Sequence, residues 1–174
     1  MTGSPAIRIR RFTNADASWV RELFIATNRQ LSTPELREAF EDYIQRALAE
    51  EIDRIADFYR EYDGGFWVAI RGEQLVGTFG LERAAADAME LRRMYVEVAS
   101  RRTGIARRML DYAEAECRRR GITRLLLSTA AIQQAAVALY RGAGYRLVRA
   151  EIAEMPSNKT VGSGLRRLHF EKIL

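Results

Sequence analysis

The run Glu90-Leu91-Arg92-Arg93-Met94-Tyr95-Val96-Glu97-Val98-Ala99-Ser100-Arg101-Arg102-Thr103-Gly104-Ile105-Ala106 decides how the rest of the 174-residue chain is read. Its first half is β-prone, its middle is a basic turn, and an amphipathic segment follows, so a strand enters and a helix leaves. The backbone N–H groups of Arg101, Arg102, Thr103, Gly104, Ile105 and Ala106 then stand at the positive end of a helix, an arrangement that binds phosphate without any special side chain. Gly104 lets the backbone approach an anion closely, Ala106 keeps the first turn small, and the arginines add long-range attraction. A lone R-x-x-G-x-A also describes a solvated basic turn, so its surroundings must decide.

Upstream, Phe66–Ile70 and Gln74–Glu82 read as a hairpin about Arg71-Gly72-Glu73, and Ala84–Ala88 connects it to a third strand, Met89–Val98. Downstream, Ile105, Met109, Ala113 and Cys117 fall four apart on the buried face of a helix that stops at Gly121. Leu125-Leu126-Leu127 is a continuous apolar run suited to a central buried strand. A helix from about Gln133 to Arg141 follows, then strands Tyr145–Ala150 and Arg166–Ile173 around the Pro156–Gly164 loop. At the other end, Ala6–Phe12 alternates as a strand, and Asn14 or Asp16 is placed to cap a helix bearing Trp19, Val20, Leu23 and Phe24. Thr33-Pro34-Glu35 starts a helical region that runs to Tyr62 as one long helix or two in series. Its aromatics, Phe40, Tyr43, Phe58, Tyr59 and Tyr62, are expected mainly in the core. The order is β, α, α, three strands, α, β, α, β, β, a mixed α/β fold in a single domain spanning 1–174.

Composition removes several function classes. With one cysteine and one histidine, a multi-thiolate metal site, a zinc site and a Ser-His-Asp triad are not expected, and no metal is called for. The net charge of +5 rests almost wholly on arginine, since Lys159 and Lys172 are the only lysines. That charge is spread along the chain without a nucleic-acid-binding signature, so nucleic acid is not an expected partner. No apolar run reaches spanning length and Met1–Arg11 lacks an apolar leader core, so no membrane association and a cytoplasmic location are expected. A homodimer is compatible with the sequence, though no residue specifies it.

Three patterns together resemble the GNAT family of N-acetyltransferases, most strongly over Phe66–Val148. Arg101–Ala106 is similar to the family's Q/R-x-x-G-x-G/A pyrophosphate loop. Leu91–Val96 resembles the strand that leads into it, and Ala136-Val137-Ala138-Leu139-Tyr140 with Gly144-Tyr145 resembles the later A-x-x-L-Y-x-x-x-G-F segment. The resemblance implies a mostly antiparallel sheet with splayed strands flanked by helices, and acetyl-CoA as cosubstrate. It implies that Met94, Tyr95 and Val96 pair with the pantetheine arm as if it were another strand, and that Arg102–Arg107 hold the pyrophosphate. It makes Tyr140 the proton donor to the departing thiolate. Glu90, fourteen residues before Gly104, becomes the base for the acceptor amine, with Glu82 second. Where many members carry Asn, seven residues before the tyrosine, this chain has Gln133, which keeps the amide but moves it by one methylene. Ile132-Gln133, Phe66–Ala69 and Val137–Tyr140 also resemble the camello-type branch. The acceptor amine is not named by any motif, and a non-catalytic acyl-CoA-binding module is the competing reading.

Overall fold

The computed structural model describes residues 6–174. The first five residues of the Met1–Arg11 stretch, for which no leader is expected, lie outside that range. Strand β1 (Ile7–Arg11) leads to α1 (Ala17–Leu31), α2 (Arg37–Glu50) and α3 (Ile55–Glu61). Then come β2 (Gly65–Arg71), β3 (Gln74–Ala85), β4 (Ala88–Val96), α4 (Ile105–Arg119), β5 (Arg124–Ala130), α5 (Gln134–Gly142), β6 (Arg146–Ala153) and β7 (Leu165–Ile173). The strands form one sheet in the order β1-β2-β3-β4-β5-β7-β6, antiparallel at every pairing except β4 with β5.

The helical periodicities sort the layers. Ile105, Met109, Leu110, Ala113 and Cys117 of α4 pack on one face of the sheet with Tyr140 and Tyr145. On the other face, Phe24, Phe40, Ile44 and Leu48 form one cluster, and Val20, Ile55, Phe58 and Tyr59 pack against Phe66, Val68 and Ile70 in another. Cys117 is fully buried, and burial pushes its thiol up to about 11, so it is a core residue and no nucleophile.

Three local readings change, and the region read as one long helix or two in series is the latter. Neither Asn14 nor Asp16 caps α1 by its side chain. Asp16 instead reaches back to the Thr13 N–H at 2.8 Å and pairs with Arg10 at 2.7 and 2.8 Å, and that arginine holds its carboxyl below the usual range. The helical region to Tyr62 is broken at Glu51, whose backbone (φ −139°, ψ −59°) turns the chain into a short 3-10 turn before α3. Strand β3 runs on to Ala85, leaving only Ala86 and Asp87 as the turn into β4. The Leu125–Leu127 run is buried by alternation: Leu125 and Leu127 pack under α4, while Leu126 is half-buried on the opposite face.

Candidate active site

Strand β4 departs from its neighbour halfway along. It pairs with β5 only from Ala88↔Arg124 to Leu91↔Leu127, whereas its pairing with β3 continues to Val96↔Gly77. Between Gly80↔Arg92 and Thr78↔Tyr95, two residues of β4 oppose one of β3, which is a bulge. Arg93 occupies the extra position with φ +53°, and the Thr78 hydroxyl donates to its carbonyl at 2.9 Å. From Arg92 onward β4 therefore has a strand on one side only, while β5 stays paired with β7 along its whole length.

The bulge also puts two successive arginines into the interior. Both bond to Glu51, which is fully buried at the break between α2 and α3: Arg92 at 2.7 Å, and Arg93 at 2.7 and 3.1 Å. Burial opposes the Glu51 charge, but Arg93 and Arg92 outweigh it and hold its carboxyl below the ordinary range. The Tyr59 hydroxyl donates to the same carboxylate at 2.6 Å. Gly80 makes room for that ring, since a Cβ there would lie 2.4 Å from the hydroxyl. Arg92 continues to Glu82 at 2.8 Å, and Lys159 bridges Glu82 and Glu90 at 2.8 and 2.5 Å. Arg93 also reaches the Asn158 carbonyl and side chain at 2.8 and 2.6 Å. The loop after β6 is thus tied to the sheet through buried charge.

In the gap between β4 and β5 lies a cavity of about 120 Å³, lined among others by Glu90, Met94, Tyr95, Gln133, Tyr140 and Arg167. Five of the residues singled out from the sequence meet there. Tyr140 projects from α5, its ring 5.9 Å from Tyr145 and 6.1 Å from Phe170. Burial raises its pKa, with Tyr95 adding to the effect, so the phenol stays protonated. The Gln133 amide oxygen accepts the Thr129 hydroxyl at 3.0 Å, which fixes the extra methylene against β5.

The other singled-out residues lie along the rim. Val96 ends β4, and its carbonyl accepts Arg101 Nε at 3.1 Å. Arg102 (φ +62°) and Gly104 (φ +81°) carry the chain through the left-handed region into α4, and Arg101 to Gly104 are all exposed. Thr103 braces the turn by donating to the Ser100 carbonyl at 2.6 Å while accepting from Arg71 at 2.9 Å. The first-turn N–H groups of Ile105, Ala106 and Arg107 have no partner within the helix, by helix geometry. Apart from its chain neighbours, no described residue places an atom within 4 Å of a Cβ at Gly104, so the space beside it is open. Arg107 points away to pair with Asp111 at 3.0 Å.

Sequence reasoning missed Glu51, Lys159 and Arg167. The visible signal was Arg92-Arg93, two adjacent charges in a strand whose alternation admits only one per face.

Several known proteins resemble this chain. The profile of the acetyltransferase (GNAT) family matches residues 25–145. N-acetylaspartate synthetase of Danio rerio is 31% identical over 141 residues, covering 78% of this chain and 48% of its own. A probable N-acetyltransferase family 8 member 5 of Mus musculus is 29% identical over 112 residues, covering 62% and 49%. This chain therefore spans about half the length of those relatives. Among solved structures, the PaiA N-acetyltransferase of Thermoplasma acidophilum in complex with coenzyme A superposes with a TM-score of 0.74 at 18% identity, covering 97% of this chain and 99% of the other. Matched across most of its length by the family profile, the chain belongs to the GNAT family of acetyltransferases.

Proposed function

We propose that this chain, as one domain, transfers an acetyl group from acetyl-CoA to a primary amine of a small molecule or peptide by direct attack on the thioester. One observation carries the reading: the unpaired edge of β4 from Arg92 to Val96 leads, through a short 3-10 turn at Val98–Ser100, to the exposed Gly104 turn and borders the cavity lined by Glu90 and Tyr140. An extended pantetheine arm fits beside an edge that lacks a strand, and the pyrophosphate fits the N-terminus of α4. The amine nitrogen attacks the carbonyl carbon, the C–S bond breaks, and the thiolate leaves with its electron pair. Glu90 takes the amine proton, directly or through water, and Tyr140 supplies one to sulfur. A backbone N–H of the Met94–Val96 segment faces the developing oxyanion. The single thiol, buried as Cys117, suits the reducing cytoplasm expected for this activity.

Release of CoA thiol from acetyl-CoA is the direct test, against a panel of amino acids, polyamines, aminoglycosides, S-conjugates and peptide N-termini. Turnover of at least one amine is expected. If acetyl-CoA raises Tm but no amine releases thiol, the chain is the non-catalytic acyl-CoA-binding module instead.

Two variants separate binding from chemistry. Gly104→Val places a β-branched residue at φ +81°, at a cost of about 1–2 kcal/mol. It is expected to raise KM for acetyl-CoA about tenfold with little change in kcat. Glu90→Gln keeps Lys159 paired to Glu82 and is expected to lower kcat about 10²-fold. An unchanged pH-rate profile in that variant rules Glu90 out as the base.

A further inference from the structure

Four cations line the cavity, and three are answered by carboxylates within ion-pair distance: Arg92 by Glu51 and Glu82, Arg93 by Glu51, and Lys159 by Glu82 and Glu90. The fourth is Arg167, from β7. It is 9% exposed, and no carboxylate of a described residue lies within 4.0 Å of its guanidinium. Its hydrogen bond to a described residue is the one from Nη2 to the Ser128 hydroxyl. The side chain also lines a second cavity, of about 480 Å³, which shares Glu90, Ser128 and Lys159 with the first. Arg167 is thus in the wall between two voids, both of which reach Glu90.

A buried guanidinium without a counter-ion is unfavourable, because desolvation is not repaid by a close negative charge. Burial pulls the Arg167 pKa down, and Glu90 and Glu151 offset this only in part, from beyond contact. Its planar fork matches a carboxylate by two parallel hydrogen bonds, a geometry that a lysine would not give. The Ser128 hydroxyl already orients one arm of that fork.

We propose that Arg167 receives a carboxylate of the acceptor, so that the acceptor is an amino acid or another small amine that carries a carboxylate. This rests on acetyl transfer at the same site and adds the chemical class of the acceptor. Glu90 borders both voids that Arg167 borders, so an acceptor anchored on the guanidinium keeps its amine on the side of the proposed base. A polyamine brings more positive charge to a wall with one unmatched cation and is disfavoured there.

The test is CoA release with matched acceptors: each free amino acid against its α-carboxamide and its decarboxylated amine, with side-chain amides for aspartate and glutamate. At least one acid is expected to exceed its uncharged analogue about 100-fold in kcat/KM. In Arg167→Gln that preference is expected to fall below about fivefold. Equal use of acid and amide by the wild type, or a preference that survives in the variant, overturns the proposal. A second measurement stands apart from turnover: tens of millimolar succinate or glutarate, against chloride of equal ionic strength, is expected to raise the Tm of the wild type and not of Arg167→Gln. Without acetyl-CoA turnover, such a shift keeps the carboxylate site and refutes acetyl transfer; no shift and no turnover refute both. Arg167→Gln is itself expected to fold with an equal or higher Tm in the free protein, since it removes a buried unmatched charge.

Discussion

Glu51→Ala is expected to destabilise the protein by about 3–5 kcal/mol, because it leaves the buried guanidinium groups of Arg92 and Arg93 facing each other without their shared carboxylate. For a chain of this size that lowers Tm by about 6–20 °C. An exposed pair of similar geometry gives the contrast: Arg29 and Glu41 lie 2.7 Å apart on the surface, and Glu41→Ala is expected to leave Tm nearly unmoved. The two differ in where the charge goes when its partner is removed, into water for Arg29 and into a low-dielectric interior for Arg92 and Arg93. The pH dependence follows from the sign of the Glu51 shift. Its folded pKa is depressed, so its contribution is fully present above the unfolded carboxylate value of about 4.3 and is lost as pH falls through the lower folded value. Thermal melts of wild type and Glu51→Gln should therefore differ most at pH 6–7 and converge in acid. A constant gap down to the acid limit would show that the charge of Glu51 is not what holds the two arginines.

This cluster also marks where the sequence was legible. The element order could be read because helical and strand periodicities were clean: the Ile105, Met109, Ala113, Cys117 spacing and the alternation of Ile7 and Ile9 each find the face they imply. The turn into α4 was legible because Gly104 stands directly before an amphipathic helix. The cross-links were not, since Glu51, Glu82, Arg92 and Lys159 come from four separate segments, and nothing local ties a glutamate at the end of a charged helix to a strand some forty residues on. Adjacent Arg92 and Arg93 violate strand alternation, and the bulge at Arg93 is the physical resolution of that violation. Arg167 left no signal, because one more arginine in an arginine-rich chain looks like surface until β7 is placed beside β5.

Tyr140→Phe is expected to lower kcat by about 10³-fold while KM for acetyl-CoA stays within about twofold. The fold should tolerate the change, because the ring contacts with Tyr145 and Phe170 involve carbon atoms that phenylalanine retains. In the proposed reaction, what is lost is the proton given to sulfur. A thiol has an unperturbed pKa near 8.5, so the CoA sulfur leaves as a moderately basic anion inside a site that burial has made poor at solvating charge. In the proposed reaction Tyr140 is available as a donor throughout the working range, because burial raises its pKa above the ordinary tyrosine value and keeps the phenol protonated. The donor role and a merely structural role for the hydroxyl diverge when the leaving group changes. With an acetyl thioester of an acidic aryl thiol, which departs without protonation, the Tyr140→Phe defect should shrink to less than about tenfold. If the defect is the same for both thioesters, the hydroxyl positions the acyl group and the proton on sulfur comes from elsewhere.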